Sequence, residues 1–190
     1  MRRSFTLFCN ALSEARRQLS LLMDSVQIEL YGTELDWHEG RPKCLTNIAI
    51  EKGVNDIIVE SPMRVSYRRS LELLQEGDGA LILGVDDAGY MPSKLFTYAC
   101  SGKPLLALLH KDGPAFAQFQ RNPMLGHSMW FDRSGDMPLN AAADVLRRFL
   151  VETVERKCFD RKELVAPFLA KNMALRHIAL FESVCGCRLS

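Results

Sequence analysis

Residues 80–109 read ALILGVDDAGYMPSKLFTYACSGKPLLALL and decide the fold class. Two short, continuously apolar runs, Ala80–Leu83 and 105–109, are typical of strands that are buried on both faces of a sheet. Between them, 85–91 is predicted to be a glycine-containing loop and 92–101 a helix, because proline suits a first helical turn and a glycine ends the helix. The stretch therefore predicts two parallel strands joined by a helix.

The rest of the chain continues this alternation of strands and helices. Short apolar or alternating runs predict further strands at 5–9, 26–31, 56–60 and 128–131. Apolar residues that recur every three or four positions predict helices at 10–24, 45–52, 67–76, 114–120, 138–156 and 161–184. This order is typical of an α/β protein with a Rossmann-like fold, in which a mostly parallel sheet of roughly five or six strands carries helices on both faces.

The length suits one domain with a helical appendage. At 190 residues the chain can bury one core. We expect 1–160 to form the Rossmann-like domain and 161–190 to form a C-terminal helical extension that packs on it. The helix at about 165–183 should leave an apolar stripe partly uncovered. That stripe consists of Phe168, Met173, Leu175, Ala179 and Leu180.

Composition excludes several classes of partner. The 24 basic residues are balanced by 23 acidic ones, so nothing in the charge calls for nucleic acid. No apolar run approaches the ~20 residues of a membrane span. The N-terminal apolar stretch breaks at Asn10, so we expect no signal peptide and a cytoplasmic location.

The six cysteines are irregularly spaced and have no histidines at metal-ligand intervals, so no metal site is predicted.

The loop that follows Ala80–Leu83 is the predicted binding site. Ligands of open α/β sheets bind beyond the carboxyl ends of the strands, where loops enter helices. Gly84 and Gly89 permit close backbone approach, the following helix N-terminus suits a phosphate, and Lys94 adds positive charge. His110, just after the next strand, is a secondary candidate for the cleft. Strand–loop–helix units with glycine occur throughout α/β proteins, so at this point a plain surface lysine remains the alternative for Lys94.

Residues 91–107, MPSKLFTYACSGKPLLA, resemble the P-x-K-x-x-E-Y-x-x-x-G-K-P block of bacterial glycosyltransferases of the group 1 type. Those enzymes have the GT-B architecture of two Rossmann domains, and the block lies in the C-terminal domain, which binds the nucleotide-sugar donor. Residues 74–83 and 26–32 resemble two strand segments of the same domain. The similarity spans about 26–109.

The resemblance implies that the chain is one half of a GT-B fold and binds a donor such as a UDP- or GDP-sugar, with no further cofactor. It places Arg64 near the nucleotide base. It places the other donor contacts at Asp86, Asp87, Gly89, Tyr90, Met91, Pro92, Ser93, Lys94 and Thr97. The acceptor site and the catalytic base would lie in an N-terminal Rossmann domain or a partner chain, so the catalytic residues are unknown.

This sequence departs from the family pattern at several positions. The family's ribose-binding glutamate corresponds to Thr97, and an earlier glutamate corresponds to Gly89. The turn at 9–14 offers neither the arginine nor the lysine that neutralises the diphosphate in the family. Three hypotheses remain: a donor-binding domain of a transferase with an unknown acceptor, a noncatalytic nucleotide- or partner-binding protein, and a flavodoxin-like regulator. The last would want acidic residues after an early strand, and Cys9 and Asn10 supply none.

Overall fold

A computed structural model of the chain describes residues 1–18, 23–34 and 37–185. The helices of this described part are α1 (Arg2–Gln18), α2 (Cys44–Glu51), α3 (Tyr67–Glu76), α4 (Leu95–Cys100), α5 (Pro114–Arg121), α6 (Leu139–Val154), α7 (Lys162–Val165) and α8 (Ala170–Cys185). Its strands are β1 (Ile28–Tyr31), β2 (Ile58–Ser61), β3 (Ala80–Leu83), β4 (Leu105–His110), β5 (His127–Asp132) and β6 (Gly135–Asp136). Single 3-10 turns lie at Asn55–Ile57, Pro123–Leu125 and Ala166–Phe168.

The described strands form two sheets. In the first, β1 pairs with β2 in parallel, with Ile28 opposite Ile58. In the second, β3, β4 and β5 are parallel neighbours in that order, and the short β6 pairs with β5 in the antiparallel sense. The Rossmann-like α/β class is confirmed, with mostly parallel strands. The expectation of one sheet of five or six strands is not met by the described residues, because β1 and β3 do not pair.

Helices cover both faces, and β4 shows how the core is divided between them. Successive side chains of a strand point to opposite faces, and every residue of β4 is buried. Leu106 and Leu108 join a cluster with α1, α2 and α6, whereas Leu105 and Leu109 join a second cluster with α4 and α5. The continuous apolar run in the sequence therefore reflects burial on both faces, as predicted.

The prediction of a first strand at 5–9 is wrong. These residues belong to α1, whose buried face includes Phe5, Phe8, Leu12 and Ala15 at spacings of three and four residues. A five-residue apolar run is compatible with a strand or with a buried helical turn. Here the helix is favoured, because the same stripe continues through the segment that was already predicted to be helical. Burial against α2 and α6 then stabilises it.

The helix predicted at 161–184 is broken. Residues 166–168, which contain Pro167, form the 3-10 turn that separates α7 from α8. The ring of Phe168 stacks on Phe96, with ring centroids 3.6 Å apart. No residue of α8 is buried, and the expected apolar stripe lies on the surface. Within the described residues no single helix combines the length and apolar character of a membrane span, although 162–168 and α8 meet those criteria as a bent pair.

The buried thiol of Cys9 gives a direct check on α1. Cys9 is fully buried, and burial raises the pKa of its thiol to about 12, whereas Cys100 and Cys158 are exposed. Thiolates are the reactive form of cysteine. We expect iodoacetamide at pH 8 to modify Cys100 and Cys158 in the native protein and to modify Cys9 only after unfolding, as read by peptide mass spectrometry. Native labelling of Cys9 as fast as that of Cys100 would contradict the burial of α1.

Candidate functional site

A cleft of about 550 Å³ opens at the carboxyl ends of β3, β4 and β5. Parallel strands deliver their following loops to the same edge of a sheet, which is where α/β proteins bind ligands. The volume lies within the usual range for small-molecule sites, roughly 300–1,000 Å³. The cleft is lined by Asp86, Asp87, Ala88, His110, Asp112, Asp132, Arg133 and Ser134.

The loop after β3 leaves the sheet at Gly84. Its N–H donates a hydrogen bond of 2.8 Å to the Leu108 carbonyl, and a Cβ at this position would lie only 2.5 Å from the same oxygen. Glycine is therefore required here for strand packing, and not only for ligand approach. Three residues further, the Asp87 carboxylate accepts a hydrogen bond of 2.8 Å from the Gly89 N–H, which closes a turn in the cleft wall.

The turn between β5 and β6 forms the opposite wall. One carboxylate oxygen of Asp132 accepts hydrogen bonds from the Ser134 hydroxyl, the Ser134 N–H and the Gly135 N–H. These bonds, with the Ser134 hydroxyl contributing most, hold the pKa of Asp132 below its usual value. The second oxygen of Asp132 lies 3.9 Å from the ammonium of Lys111, which itself sits over the Trp130 ring. Asp132 is thus ionised and held in place by its own turn.

Arg3 ties the two walls together from the first turn of α1. Its guanidinium forms ion pairs of 3.3 Å with Asp86 and 3.0 Å with Asp136. It also donates to the carbonyl oxygens of Asp132 and Gly135. The first turn of α1 thereby cross-links the loop after β3 to the turn after β5. The positive charge nearest to Asp86 is consequently engaged within the protein.

His110 lies at the base of the cleft. Its side chain is almost completely buried, and its edge packs against the Phe131 ring. The Asp112 N–H donates to Nδ1 at 3.2 Å, so in the neutral ring the proton resides on Nε2. The secondary candidate from the sequence therefore lines the cleft.

The residues predicted to contact the donor are only partly brought together. Asp86 and Asp87 line the cleft, and Gly89 lies in the adjoining turn. The remainder of the predicted set runs along the outside of the same loop and into α4, a helix of six residues. In that remainder Pro92 is buried, Tyr90 and Thr97 are half-buried, and the exposed members are Met91, Ser93 and Lys94. Arg64 is exposed. Its side chain packs near Gly32, which directly follows β1 in the first sheet.

Sequence reasoning missed Asp112 and the turn at 132–134. Both directly follow strands that were predicted correctly, so the rule that singled out Asp86 and Asp87 also applied to them. What the sequence did not supply was the order of the strands. That order makes the loops after β3, β4 and β5 neighbours.

Lys103, the lysine of the Gly-Lys-Pro motif, has a structural position. Its ammonium donates hydrogen bonds to the carbonyl oxygens of Gln75 and Gly77, at the C-terminus of α3. Those carbonyls have no partner within the helix, and a positive charge there complements the helix dipole. Arg161 in turn donates to the Lys103 carbonyl at 2.8 Å. This motif residue therefore joins α3 to the start of α7 and lies outside the lining of the cleft.

The charge of the cleft favours hydroxyl donors over bare anions. Its lining contains four aspartates against one arginine, and carboxylates accept hydrogen bonds from hydroxyl groups. Across residues 1–18, 23–34 and 37–185, no group of three or more histidine, cysteine or acidic side chains is arranged to hold a metal ion. No family model, curated protein or solved structure matches this chain.

Proposed function

We propose that this chain is the donor-binding domain of a nucleotide-sugar-dependent glycosyltransferase. The observation that carries the proposal is the cleft at the carboxyl edge, where the loop at 84–91 meets the loops after β4 and β5. A sugar and a ribose present many hydroxyl groups. Asp86 and Asp112 can accept hydrogen bonds from them, while Arg133 and the Ser134 hydroxyl can donate.

In this proposal the diphosphate lies along the outer part of the loop, toward the N-terminus of α4. Lys94 is exposed there, and its ammonium forms no ion pair with any residue that the structure describes. An unengaged cation next to backbone N–H groups suits a phosphate. The resemblance of 91–107 to the glycosyltransferase block supports the same assignment. The acceptor and the catalytic base belong, in this proposal, to an N-terminal Rossmann domain or a partner chain, and the assembly is cytoplasmic.

The test is titration calorimetry of the purified chain with UDP, GDP and ADP and with a UDP-sugar. Lys94→Ala should weaken binding of the preferred diphosphate by about 1–3 kcal/mol, or about five- to 150-fold, the usual size for hydrogen bonds to a charged group. Lys171→Ala, which removes another exposed lysine, from α8, is the matched control and should leave binding unchanged. Equal affinity in both variants would remove Lys94 from the site.

A noncatalytic binding protein is the second candidate, and the charge of the cleft favours it. A departing diphosphate needs positive charge or well-aimed dipoles, and losing one such contact typically costs a few kcal/mol. Here Arg3 is already engaged by Asp86 and Asp136. If uridine and the free sugar bind, and the diphosphate adds nothing to the affinity, the noncatalytic candidate is favoured over the transferase.

A further inference from the structure

Among the strands that the structure describes, β1 and β3 each pair along one edge only. The N–H groups of Ala80 and Gly84 donate to carbonyls of the β4 side, at 2.9 and 2.8 Å. Because backbone groups of successive strand residues point to opposite edges, those of Leu81 and Leu83 point away from β4. No strand within the described residues lies at that edge.

The same holds for the first sheet. The Gly32 N–H, just after β1, donates to the Ser61 carbonyl of β2 at 2.9 Å. By the same alternation, the backbone groups of Glu29 and Tyr31 point away from β2. Among the strands that the structure describes, none pairs with these backbone groups either.

Both free edges border one shared core. A single cluster contains Leu30 and Ile58 of the first sheet and Leu106 and Leu108 of the second, and Leu81 packs against it from β3. On this face α1 packs against α2 on one side and α6 on the other; α2 covers β2, and α6 covers β4 and β5. The two sheets therefore lie in one layer beneath α1, although β1 and β3 do not pair.

β3 has the composition of a central strand. Edge strands usually carry a lysine, a proline or a bulge that discourages pairing, and Ala80–Leu83 has none of these. Leu81 and Leu83 remain only partly buried, whereas all of β4 is buried. On the opposite face, no residue of α3 is buried. These features are expected of a strand that would have a second neighbour in a complete sheet.

α1 begins at the carboxyl edge, between the two sheets. The Ser4 hydroxyl donates a hydrogen bond of 2.7 Å to the Gly84 carbonyl, at the end of β3. Met1 and Arg2 border a second cavity, of about 350 Å³, together with Thr33, which follows β1. In α/β folds a helix that starts at this edge follows a parallel strand that ends there.

We infer that the space between β1 and β3 takes one extended polypeptide strand, parallel to both, that ends beside Met1 and leads into α1. Its backbone pairs with the free groups of Glu29, Tyr31, Leu81 and Leu83 and joins the two sheets into one. Its side chains are apolar, because the shared core lies directly beneath it. Every described strand is already paired within one of the two sheets. The occupant is therefore additional polypeptide joined to α1.

The experiment extends the full chain ahead of Met1 with the sequence valine-threonine-isoleucine-valine-isoleucine-glycine-glycine. A matched extension carries proline in place of the threonine and the second valine, which removes two backbone donors. Amide hydrogen exchange is followed by NMR. The amides of Glu29, Tyr31, Leu81 and Leu83 should exchange about tenfold more slowly with the first extension than with the second. The Ala80 amide, which is already bonded to the β4 side, is the internal reference.

Equal exchange of the four amides in both extended chains would overturn the proposal. Protection that arises only when the segment is added as a free peptide would assign the edge to a separate chain and overturn the connection to α1. If these amides are protected in the unextended chain, and the protection grows with protein concentration, the edge pairs with a second copy of the chain. That result would also overturn the connection to α1. None of these readouts depends on nucleotide binding.

Discussion

Gly126→Ala should reduce the free energy of unfolding by roughly 3–5 kcal/mol, the top of the range for single substitutions. Gly126 links the 3-10 turn at Pro123–Leu125 to β5, with a φ of +141°. That backbone region is essentially restricted to glycine, and strain there costs about 1–3 kcal/mol. A Cβ would also lie 2.3 Å from the Leu105 carbonyl oxygen, in a strand that is buried on both faces and cannot shift cheaply.

Urea unfolding followed by circular dichroism measures the loss. Gly40→Ala is the control, because Gly40 also has a positive φ, of +92°, but no atom of the described residues lies within 4 Å of its Cβ position. The control carries backbone strain alone and should lose about 1 kcal/mol. If the two variants lost the same amount, close packing between Gly126 and β4 would be refuted.

Glu60→Ala should cost a comparable amount, roughly 3–5 kcal/mol, because it leaves three half-buried donors without their acceptor. Glu60 is 2% exposed. Its carboxylate accepts hydrogen bonds of 2.6 Å from the Thr33 hydroxyl and of 2.7 and 2.8 Å from the N–H and hydroxyl of Thr46. Thr46 lies in the first turn of α2, where a negative charge also complements the helix dipole. One side chain therefore joins the end of β1, β2 and the start of α2.

The same urea titration tests this substitution. Glu51→Ala removes an exposed acid from the last turn of α2 and should change stability by less than about 0.5 kcal/mol. Glu60→Gln keeps one acceptor oxygen and should fall between the two. A loss below about 1 kcal/mol for Glu60→Ala would show that the three donors find other partners or water.

The sequence predicted those elements whose signal is local. β3 and β4 were recognisable because both are apolar at every position, although only β4 is fully buried on both faces. α3 was recognisable because Gly77 ends it, and the structure adds the Ser66 side chain as its N-terminal cap. The segment at 5–9 was misassigned because a short apolar run does not distinguish a strand from a buried helix. The helix at 92–101 starts three residues later than predicted, because Pro92 begins a turn in which its carbonyl accepts from the Leu95 N–H.

The other features depend on contacts between residues that are far apart in the chain, and these were not predictable from the sequence. The separation of β1 from β3 has no sequence signature, because each strand resembles one with two neighbours. The acidic side of the cleft was found at Asp86 and Asp87 and missed at Asp112, since the adjacency of loops depends on strand order. Glu60 was assigned only to a strand. Its role depends on Thr33 and Thr46, which lie 27 and 14 residues away in the chain.

The ion pairs of Arg3 make the link between the two walls of the cleft sensitive to ionic strength. The Arg3 and Asp86 side chains are 30% and 52% exposed, so dissolved salt screens their attraction over a Debye length of about 10 Å at 0.1 M. Added salt should therefore weaken the Arg3–Asp86 ion pair and leave the Asp86 carboxylate freer to accept a hydrogen bond from a hydroxyl group. In the proposed donor site, the same salt would weaken the attraction of Lys94 for a phosphate. These two effects oppose each other, so an affinity that stays constant across salt concentrations is fully compatible with a charged ligand.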